Sequence, residues 1–106
     1  MARAAAINGV VERLKNRISE HLRVETLVLF GSRARGASDQ WSDYDLIVVS
    51  PDFEGIPFLE RSRLLRPLRE RGSFYDFLCY TPGEFERLRG RITLVREAAE
   101  TGIRLI

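Results

Sequence analysis

Two aspartates at the start of a predicted strand are the first residues in this sequence that could do chemistry. Asp43 and Asp45 lead directly into the apolar run of residues 46–49. Residues i and i+2 of a strand point the same way, with Cα atoms roughly 6.6 Å apart. Two carboxylates on one face repel each other unless they share a cation, and Mg²⁺ prefers such oxygen ligands together with substrate phosphates. The spacing predicts a metal site, although a solvated strand end with incidental acids would have the same pattern.

A third carboxylate, Asp76, lies within the apolar stretch of residues 74–80. An unpaired charge in a buried strand is costly, so we expect Asp76 to be paired or to contact a metal ion. If this strand lies beside the predicted strand over 44–49, three carboxylates can converge on one or two ions. The alternative is a salt bridge between Asp76 and one of the many arginines.

The turn that begins at Gly31 is the second candidate for chemistry. Gly31 ends a β-branched and aliphatic run, and Ser32 suits the first position of a helix. Free backbone N–H groups at a helix start attract phosphate, and Arg33 and Arg35 add charge-assisted donors. The glycine spacing matches neither a Walker A motif nor a dinucleotide fingerprint. A plain turn remains the other interpretation of Gly31 and Ser32 alone.

The elements that must position these residues alternate between helix and strand. Hydrophobic periodicity and turn residues predict, in order, a helix over 7–22, a strand over 24–30, a helical turn within 31–42, a strand over 44–49, a helix from Pro57, a strand over 74–80 and a final helical segment from Thr81 to Gly102. We expect Pro67 to kink or end the third helix, Gly90 to interrupt the last one, and Thr81 with Glu84 to form a capping box at the start of the last one. This order favours an α+β fold, an α/β sandwich with helices packed on a small sheet of at least three strands.

Composition limits the classes of protein that fit. The chain has 106 residues, of which 44% are hydrophobic and 30% charged, so we expect a single domain over residues 1–106. No apolar run approaches the roughly 20 residues of a membrane span, and the N-terminus does not resemble a signal peptide. The single cysteine, Cys79, cannot form an internal disulfide, and no Cys/His cluster suits zinc. We expect a cytoplasmic protein without a membrane anchor.

Charge does not decide the function. The net charge is only +2, although sixteen of the seventeen basic residues are arginine. Nucleic-acid binding favours a basic stripe with interleaved aromatic residues. The arginines of residues 61–71 alternate with leucines instead, which is typical of the solvent-facing side of a helix. Nucleic acid is therefore not the main ligand that this sequence predicts.

The motifs together are more specific than their parts. Gly31-Ser32 is followed after ten residues by Asp43-x-Asp45, and a later apolar strand holds another carboxylate. This combination resembles the nucleotidyltransferase superfamily of the DNA polymerase β type. The forms Gly-Ser-Arg-Ala-Arg-Gly at 31–36 and Ser-Asp-Tyr-Asp-Leu at 42–46 are most similar to the minimal nucleotidyltransferases, small prokaryotic proteins typically encoded beside a helical partner of the HEPN class. The resemblance spans nearly the whole chain and implies the nucleotidyltransferase fold, with a small mixed sheet.

The resemblance also implies roles for individual residues. The catalytic and metal-binding group would comprise Asp43, Asp45 and Asp76, which hold two Mg²⁺ ions, with Asp76 also activating the attacking hydroxyl. The nucleotide-binding group would comprise Gly31, Ser32, Arg33, Arg35 and Ser42. Within it, Arg35 matches the family's basic position after the Gly-Ser pair, and Ser42 either orients Asp43 or serves as a turn residue. Two metal ions about 3.5–4 Å apart suit an in-line displacement, since they clamp the attacking and leaving oxygens.

The implied activity is Mg²⁺-dependent transfer of AMP from ATP to a hydroxyl, a reaction of the EC 2.7.7 type. Larger members of the superfamily carry a second helical domain that binds the acceptor, and 106 residues leave no room for one. The resemblance therefore implies a HEPN-type toxin as partner, with a tyrosine of that toxin as acceptor, so that this chain would be an antitoxin in a homo- or hetero-oligomer.

Three alternatives stay open at this point. The chain could modify a hydroxyl of a small molecule, neutralise its partner by contact without catalysis, or bind nucleic acid through its arginines. The sequence leaves the nucleotide base, the acceptor, the number of AMP groups transferred and the oligomeric state undetermined. Two other reactive side chains have structural interpretations, because His21 is far in sequence from the motifs and Cys79 lies in an apolar strand.

Overall fold

Five α-helices and four strands follow one another in the computed structural model, which describes residues 9–34, 43–91 and 93–106. The helices are α1 (Gly9–His21), α2 (Gly31–Ala34), α3 (Phe58–Leu65), α4 (Pro82–Arg89) and α5 (Leu94–Thr101), with 3-10 turns at Pro51–Phe53 and Arg66–Leu68. The strands are β1 (Thr26–Phe30), β2 (Tyr44–Val49), β3 (Tyr75–Tyr80) and β4 (Ile103–Arg104). Within the described ranges, no helix has the length and apolarity needed to cross a bilayer.

The strands form one mixed sheet in the order β3-β2-β1-β4. Strand β1 is antiparallel to both β2 and β4, and β2 is parallel to β3. This arrangement confirms the α+β class and the mixed sheet. Strand β4 was not predicted from the sequence, because two residues are too few to give a periodic pattern.

Alternate residues of the strands bury two separate cores, one on each face of the sheet. On the face covered by α1, which we call the α1 face, strand residues pack against Val11, Leu14 and Ile18 of that helix. On the opposite face, the α5 face, strand residues pack against Phe85 of α4 and against Val95 and Ala98 of α5. Odd and even positions of each strand therefore meet different surroundings.

Breaks in the helices fall close to the predicted positions. Helix α3 ends at Leu65, and the chain tightens to a 3-10 turn around Pro67, as the missing N–H of proline requires. Gly90 ends α4 and thus separates it from α5. Gly102 ends α5, and its amide donates to the Ala98 carbonyl over 2.8 Å. A Cβ at Gly102 would lie only 2.5 Å from that same oxygen, so this position has no space for a side chain. The helix expected from residue 7 is described from Gly9 onward, because residues 7 and 8 lie outside the described residues. Ile92, within the predicted final helical segment, lies outside them as well.

The side chain of Arg61 ties α3 to the end of β3 and to the start of α4. Arg61 Nε donates to the Ile56 carbonyl over 2.8 Å, and Nη1 donates to the Cys79 carbonyl over 3.2 Å. The guanidinium also forms a two-pronged ion pair with the carboxylate of Glu84. Glu84 in turn accepts from the Thr81 amide, while the Thr81 hydroxyl accepts from the Glu84 amide. This capping box, which the sequence predicted, thus holds a carboxylate against a buried arginine.

These contacts change the acidity of Glu84. The hydrogen bond from Arg61 is the largest cause that lowers the pKa of Glu84, from 4.5 to about 2, and burial opposes it. A carboxylate with a depressed pKa in the folded state stabilises the fold at any pH above its unfolded value, and this contribution is lost as pH falls through the two values. The stabilisation should therefore vanish between about pH 4.5 and pH 2.

We predict that the free energy of unfolding of Glu84→Gln decreases less on acidification than that of the parent protein. At neutral pH the free energy of unfolding of the variant should be lower than that of the parent by on the order of 2 kcal/mol. This difference should shrink below pH 4.5. Urea unfolding at a series of pH values measures this. The control is Glu86→Gln, which removes an exposed ion pair with Arg89 on the same helix. Parallel pH curves for the parent and Glu84→Gln would contradict the prediction.

Candidate active site

The parallel register of β2 and β3 aligns Asp45 with Asp76. Residues that are partners in adjacent strands point to the same face of a sheet. Both carboxylates therefore lie on the α5 face, in line with the next pair along these strands, Ile47 and Leu78. The two strands that the sequence assigned to the carboxylates are thus neighbours.

The three carboxylates differ in their exposure to solvent. Asp43, directly before β2, and Asp76 are exposed, whereas Asp45 is half-buried. The expectation that Asp76 is buried in an apolar strand was wrong, because it is the second residue of β3 and β3 forms an edge of the sheet. No ion pair involves Asp76 in the described part of the chain. An exposed carboxylate at this edge is accessible to a substrate.

Gly31 brings the end of β1 against the carboxylate of Asp45. Its φ of +73° is in the left-handed region that favours glycine. A Cβ at this position would overlap Asp45 Oδ2, so the absence of a side chain permits the close approach. Gly31 also begins α2, the short helical turn that the sequence predicted here. The main chain of Gly31 is thus directly beside a candidate metal-binding oxygen.

Of the other predicted nucleotide-binding residues, the structure describes the side chain of Arg33 alone. Arg33 lies over the ring of Tyr44, with its guanidinium carbon 4.0 Å from the ring centroid. Tyr44 is buried in the core of the α1 face, so Arg33 packs on the side of the sheet opposite to the carboxylates. Arg35 and Ser42 lie outside the described residues, as does the side chain of Ser32. Their roles stay predictions.

Aromatic rings on the α1 face support the strand ends that carry the carboxylates. Tyr44 stacks on Tyr75 with 5.3 Å between ring centroids, and Tyr75 stacks on Phe77 at 5.7 Å. Burial raises the pKa of the Tyr75 phenol, although the Glu70 backbone and the Ser73 side chain lie near enough to oppose the shift. Among the described residues, its hydroxyl oxygen has no partner with hydrogen-bond geometry. The phenol therefore stays protonated at neutral pH, and the stack is a structural support for the site.

Asp45 and Asp76 open into different cavities. A cavity of about 250 Å³ contains Gly31 and Asp45 and is closed by residues of α5, including Leu94 and Glu97. A second cavity, of about 180 Å³, lies along the outer edge of β3 and contains Asp76, Arg66 and Arg69. Sequence reasoning missed these lining residues, because they come from segments that only the folded chain brings to the carboxylates.

The donor set fits a magnesium ion. Among residues 9–34, 43–91 and 93–106, no group of three or more His, Cys, Asp and Glu side chains is arranged to hold a metal. Mg²⁺, however, usually takes one or two protein carboxylates and completes its coordination with water and phosphate oxygens. Asp45 and Asp76 supply two such carboxylates, and Asp43 lies two residues from the first. Asp45 and Asp76 are therefore the carboxylates whose placement could hold the ion, and the role of Asp43 beside them stays a prediction.

Comparison with known proteins gives a family and a fold. The model of the family described as "Nucleotidyltransferase domain" matches residues 11–104. No curated protein matches the chain significantly. Among solved structures, a proposed nucleotidyltransferase from Sulfolobus solfataricus is similar with a TM-score of 0.55 and 23% identity, over 78% of this chain and 79% of that one.

Two plant structures share the same fold. BolA1 from Arabidopsis thaliana is similar with a TM-score of 0.60 and 24% identity, over 74% of this chain and 98% of that one. The BolA domain of SufE1 from Arabidopsis thaliana is similar with a TM-score of 0.59 and 23% identity, over 74% of this chain and 98% of that one. At such identities, structural likeness shows the fold alone, and the family match with its motif residues carries more information about chemistry.

We predict that Gly31→Ala costs more stability than the same change at another left-handed glycine. Both positions incur the backbone penalty of about 1–2 kcal/mol for a residue in the left-handed region. Only at Gly31 does the new Cβ also displace the carboxylate of Asp45, whereas Gly55, with φ of +80°, has no neighbouring atom within 4 Å. Urea unfolding of the two variants measures the difference. Equal losses would show that the contact between Gly31 and Asp45 imposes no constraint.

Proposed function

This chain belongs to the nucleotidyltransferase domain family, a family of EC 2.7.7-type transferases, and we propose that it transfers AMP from ATP to a hydroxyl in a Mg²⁺-dependent reaction. The observation that carries the proposal is the register that pairs Asp45 with Asp76. Two carboxylates in adjacent positions at the start of two strands, with Gly31 against one of them, suit the binding of a metal–nucleotide complex.

The reaction is a substitution at the α-phosphorus of ATP. The acceptor oxygen forms a new bond to that phosphorus, and the bond from the phosphorus to the oxygen bridging the α- and β-phosphates breaks, so pyrophosphate leaves. The hydroxyl proton passes to the carboxylate of Asp76, which is exposed and therefore within reach of an acceptor. Most of the rate enhancement in such reactions comes from positioning and electrostatic stabilisation.

Asp43, Asp45 and Asp76 would hold Mg²⁺. The ion, when bound, would neutralise the charge on the departing pyrophosphate and lower the pKa of the acceptor hydroxyl. The protein fixes the main-chain positions that carry Asp45 and Asp76, because β2 and β3 are paired along six residues. This rigidity suits a site whose donors must be in place before substrate arrives.

The nucleotide phosphates would lie beside Gly31, whose lack of a side chain gives them room at the main chain. The cavity that contains Gly31 and Asp45 has a volume of about 250 Å³, which suits part of a nucleotide. From the family resemblance, Ser32 and Arg35 would contact the phosphates, and Ser42 would orient Asp43. Arg33, which lies over the Tyr44 ring, would instead steady the start of β2.

We further propose that the acceptor is a tyrosine of a HEPN-type toxin on a second chain and that AMP transfer silences this toxin in the cytoplasm. The support is the family resemblance, together with large apolar side chains that are exposed on the described surface: Phe58, Leu59, Leu64, Phe74 and Leu94. Leu94 is 59% exposed and lines the cavity beside Asp45, so a partner that covers it would also approach the site.

We predict that label from α-labelled ATP, but not from γ-labelled ATP, reaches a protein when the purified chain and Mg²⁺ are added to a lysate of the source cells. Asp43→Asn/Asp45→Asn and Asp76→Asn should each reduce this transfer at least about a hundredfold, since they remove metal ligands and the base. Glu54→Gln, which neutralises an exposed carboxylate beyond the other end of β2, should have no effect.

Other distributions of label contradict parts of the proposal. Label confined to small molecules would identify a metabolite hydroxyl as the acceptor and exclude a protein tyrosine. Absence of any transfer, with a partner still captured by the chain, would indicate an antitoxin that acts by contact. Transfer that persists in Asp43→Asn/Asp45→Asn would show that these residues are not the metal ligands.

We predict that Mg²⁺ and ATP together raise the melting temperature of the parent protein, because ligands that bind only the folded state stabilise it. Removal of Mg²⁺ by EDTA should abolish this rise and all AMP transfer. Asp43→Asn/Asp45→Asn should melt normally without ligands yet show no rise with Mg²⁺ and ATP. A full rise in that variant would mean that the nucleotide binds elsewhere.

A further inference from the structure

A groove rich in arginine extends from Asp76 along the side of the molecule. A surface cavity of about 430 Å³ is lined by Arg66, Arg69, Arg71 and Phe74, among others. The cavity that contains Asp76 is also lined by Arg66 and Arg69. Because the two cavities share these arginines, they form one continuous surface, which we call the arginine groove.

The described part of the protein forms no ion pair with the arginines of this groove. Glu70, the carboxylate in its wall, is occupied by an ion pair with Arg13. None of Arg66, Arg69 and Arg71 forms an ion pair in the part of the chain that the structure describes. Three unpaired guanidinium groups within six residues attract an anion, and their planar donors match carboxylates.

One wall of the groove near Asp76 is the first part of the outer edge of β3, before the point where Arg61 of α3 donates to the Cys79 carbonyl. The Tyr44 amide donates to the Phe74 carbonyl, and the Ser50 amide donates to the Tyr80 carbonyl, from β2 towards β3. Since main-chain groups alternate in direction along a strand, the amides and carbonyls of Tyr75 and Phe77 point away from β2. Both residues line the cavity with Asp76. No described residue forms a hydrogen bond with these outward groups, so they are available to an added strand.

We propose that the arginine groove binds an extended acidic segment of the acceptor protein, which adds as a strand to the outer edge of β3 and delivers its neighbouring hydroxyl to Asp76. The inference rests on the proposed function and assigns the chemistry around the acceptor. Main-chain hydrogen bonds to Tyr75 and Phe77 set the depth of the segment, and its carboxylates bind Arg66, Arg69 and Arg71.

A peptide fits this groove better than a nucleic acid does. The exposed strand edge offers main-chain donors and acceptors spaced for another main chain. Nucleic-acid binding favours several stacked aromatic rings, whereas among the described residues Phe74 is the one exposed ring that lines this groove.

The position of the groove also separates acceptor from nucleotide. Asp45 opens towards α5 and Gly31, whereas Asp76 opens towards the outer edge of β3. An in-line displacement needs the attacking and leaving oxygens on opposite sides of the phosphorus. A nucleotide on the Gly31 side and an acceptor on the β3 side meet that requirement.

The test measures binding of fluorescent peptides without nucleotide or metal. The probes are Glu-Glu-Val-Tyr-Val-Glu, its Gln-substituted form and its Lys-substituted form, followed by fluorescence anisotropy. The parent should bind the Glu peptide about fivefold more tightly than the Gln peptide, and added salt should remove this preference. Arg66→Gln/Arg69→Gln should lose it, whereas Arg89→Gln/Arg104→Gln, which changes net charge equally in a different cavity, should keep it.

A variant with reversed charge distinguishes a loss of charge recognition from a loss of folding, because only a folded groove can show a reversed preference. Arg66→Glu/Arg69→Glu should prefer the Lys peptide over the Glu peptide by about fivefold. Three results would overturn the proposal: no binding of the Glu peptide, equal binding by Arg66→Gln/Arg69→Gln, or tighter binding of an oligoadenylate RNA through the same arginines. Weaker ATP binding by Arg66→Gln/Arg69→Gln would also overturn it, because the groove would then serve the nucleotide.

Failure of the groove and failure of the transferase are distinguishable. In one outcome, the Glu peptide binds through Arg66 and Arg69 but receives no AMP from a preparation that is active in the lysate. That outcome supports the groove and counts against tyrosine as the acceptor. AMP transfer to the Glu and Gln peptides at equal rates supports the transferase and overturns the groove.

Discussion

The parallel register between β2 and β3 is the constraint on which the candidate site depends. Because side chains alternate with a period of two, a slip of one residue would move Asp76 to the α1 face and leave Asp45 without its neighbour. Phe77 and Cys79, which are buried on the α1 face, fix the register by packing. Two like charges side by side oppose the pairing of the strands. The sheet tolerates them at the start of these strands, where Asp76 is exposed and the apolar pairs that follow supply the stability.

The opposite end of β3 is held by polar contacts of another kind. Arg61 is buried, and its guanidinium meets the Cys79 carbonyl and the Glu84 carboxylate in one place. This contact fixes where β3 ends and α4 begins, so β3 is defined at one end by an ion pair and along its length by apolar packing. Burial raises the pKa of the Cys79 thiol to about 12, which leaves it protonated and unreactive. Among the side chains of β3, Asp76 is therefore the candidate for chemistry and Cys79 is not.

Local sequence signals predicted the elements well, and distant contacts explain what they missed. Strand β2 and the Thr81–Glu84 capping box follow from residues adjacent in the chain, so both were predicted correctly. An apolar run gives no indication of whether its strand is central or at an edge, which is why Asp76 was expected to be buried. The arginines near residue 66 were predicted to face solvent. Their approach to Asp76 depends on how the turn after α3 packs beside β3, and no periodicity encodes that.

The fold alone does not decide the chemistry of this chain. The same arrangement of helices and strands is similar to a proposed nucleotidyltransferase and to BolA domains, at nearly equal TM-scores. A function common to all of them does not follow from topology, because sites are carried by residues placed on a fold. In this chain those residues lie where β1 ends and where β2 and β3 begin. A side chain at Gly31 would overlap the Asp45 carboxylate, and the strand register places Asp45 beside Asp76. The end of one strand and the starts of two others thus constrain one another, and this mutual constraint, more than the sheet order, makes the chain a candidate nucleotidyltransferase.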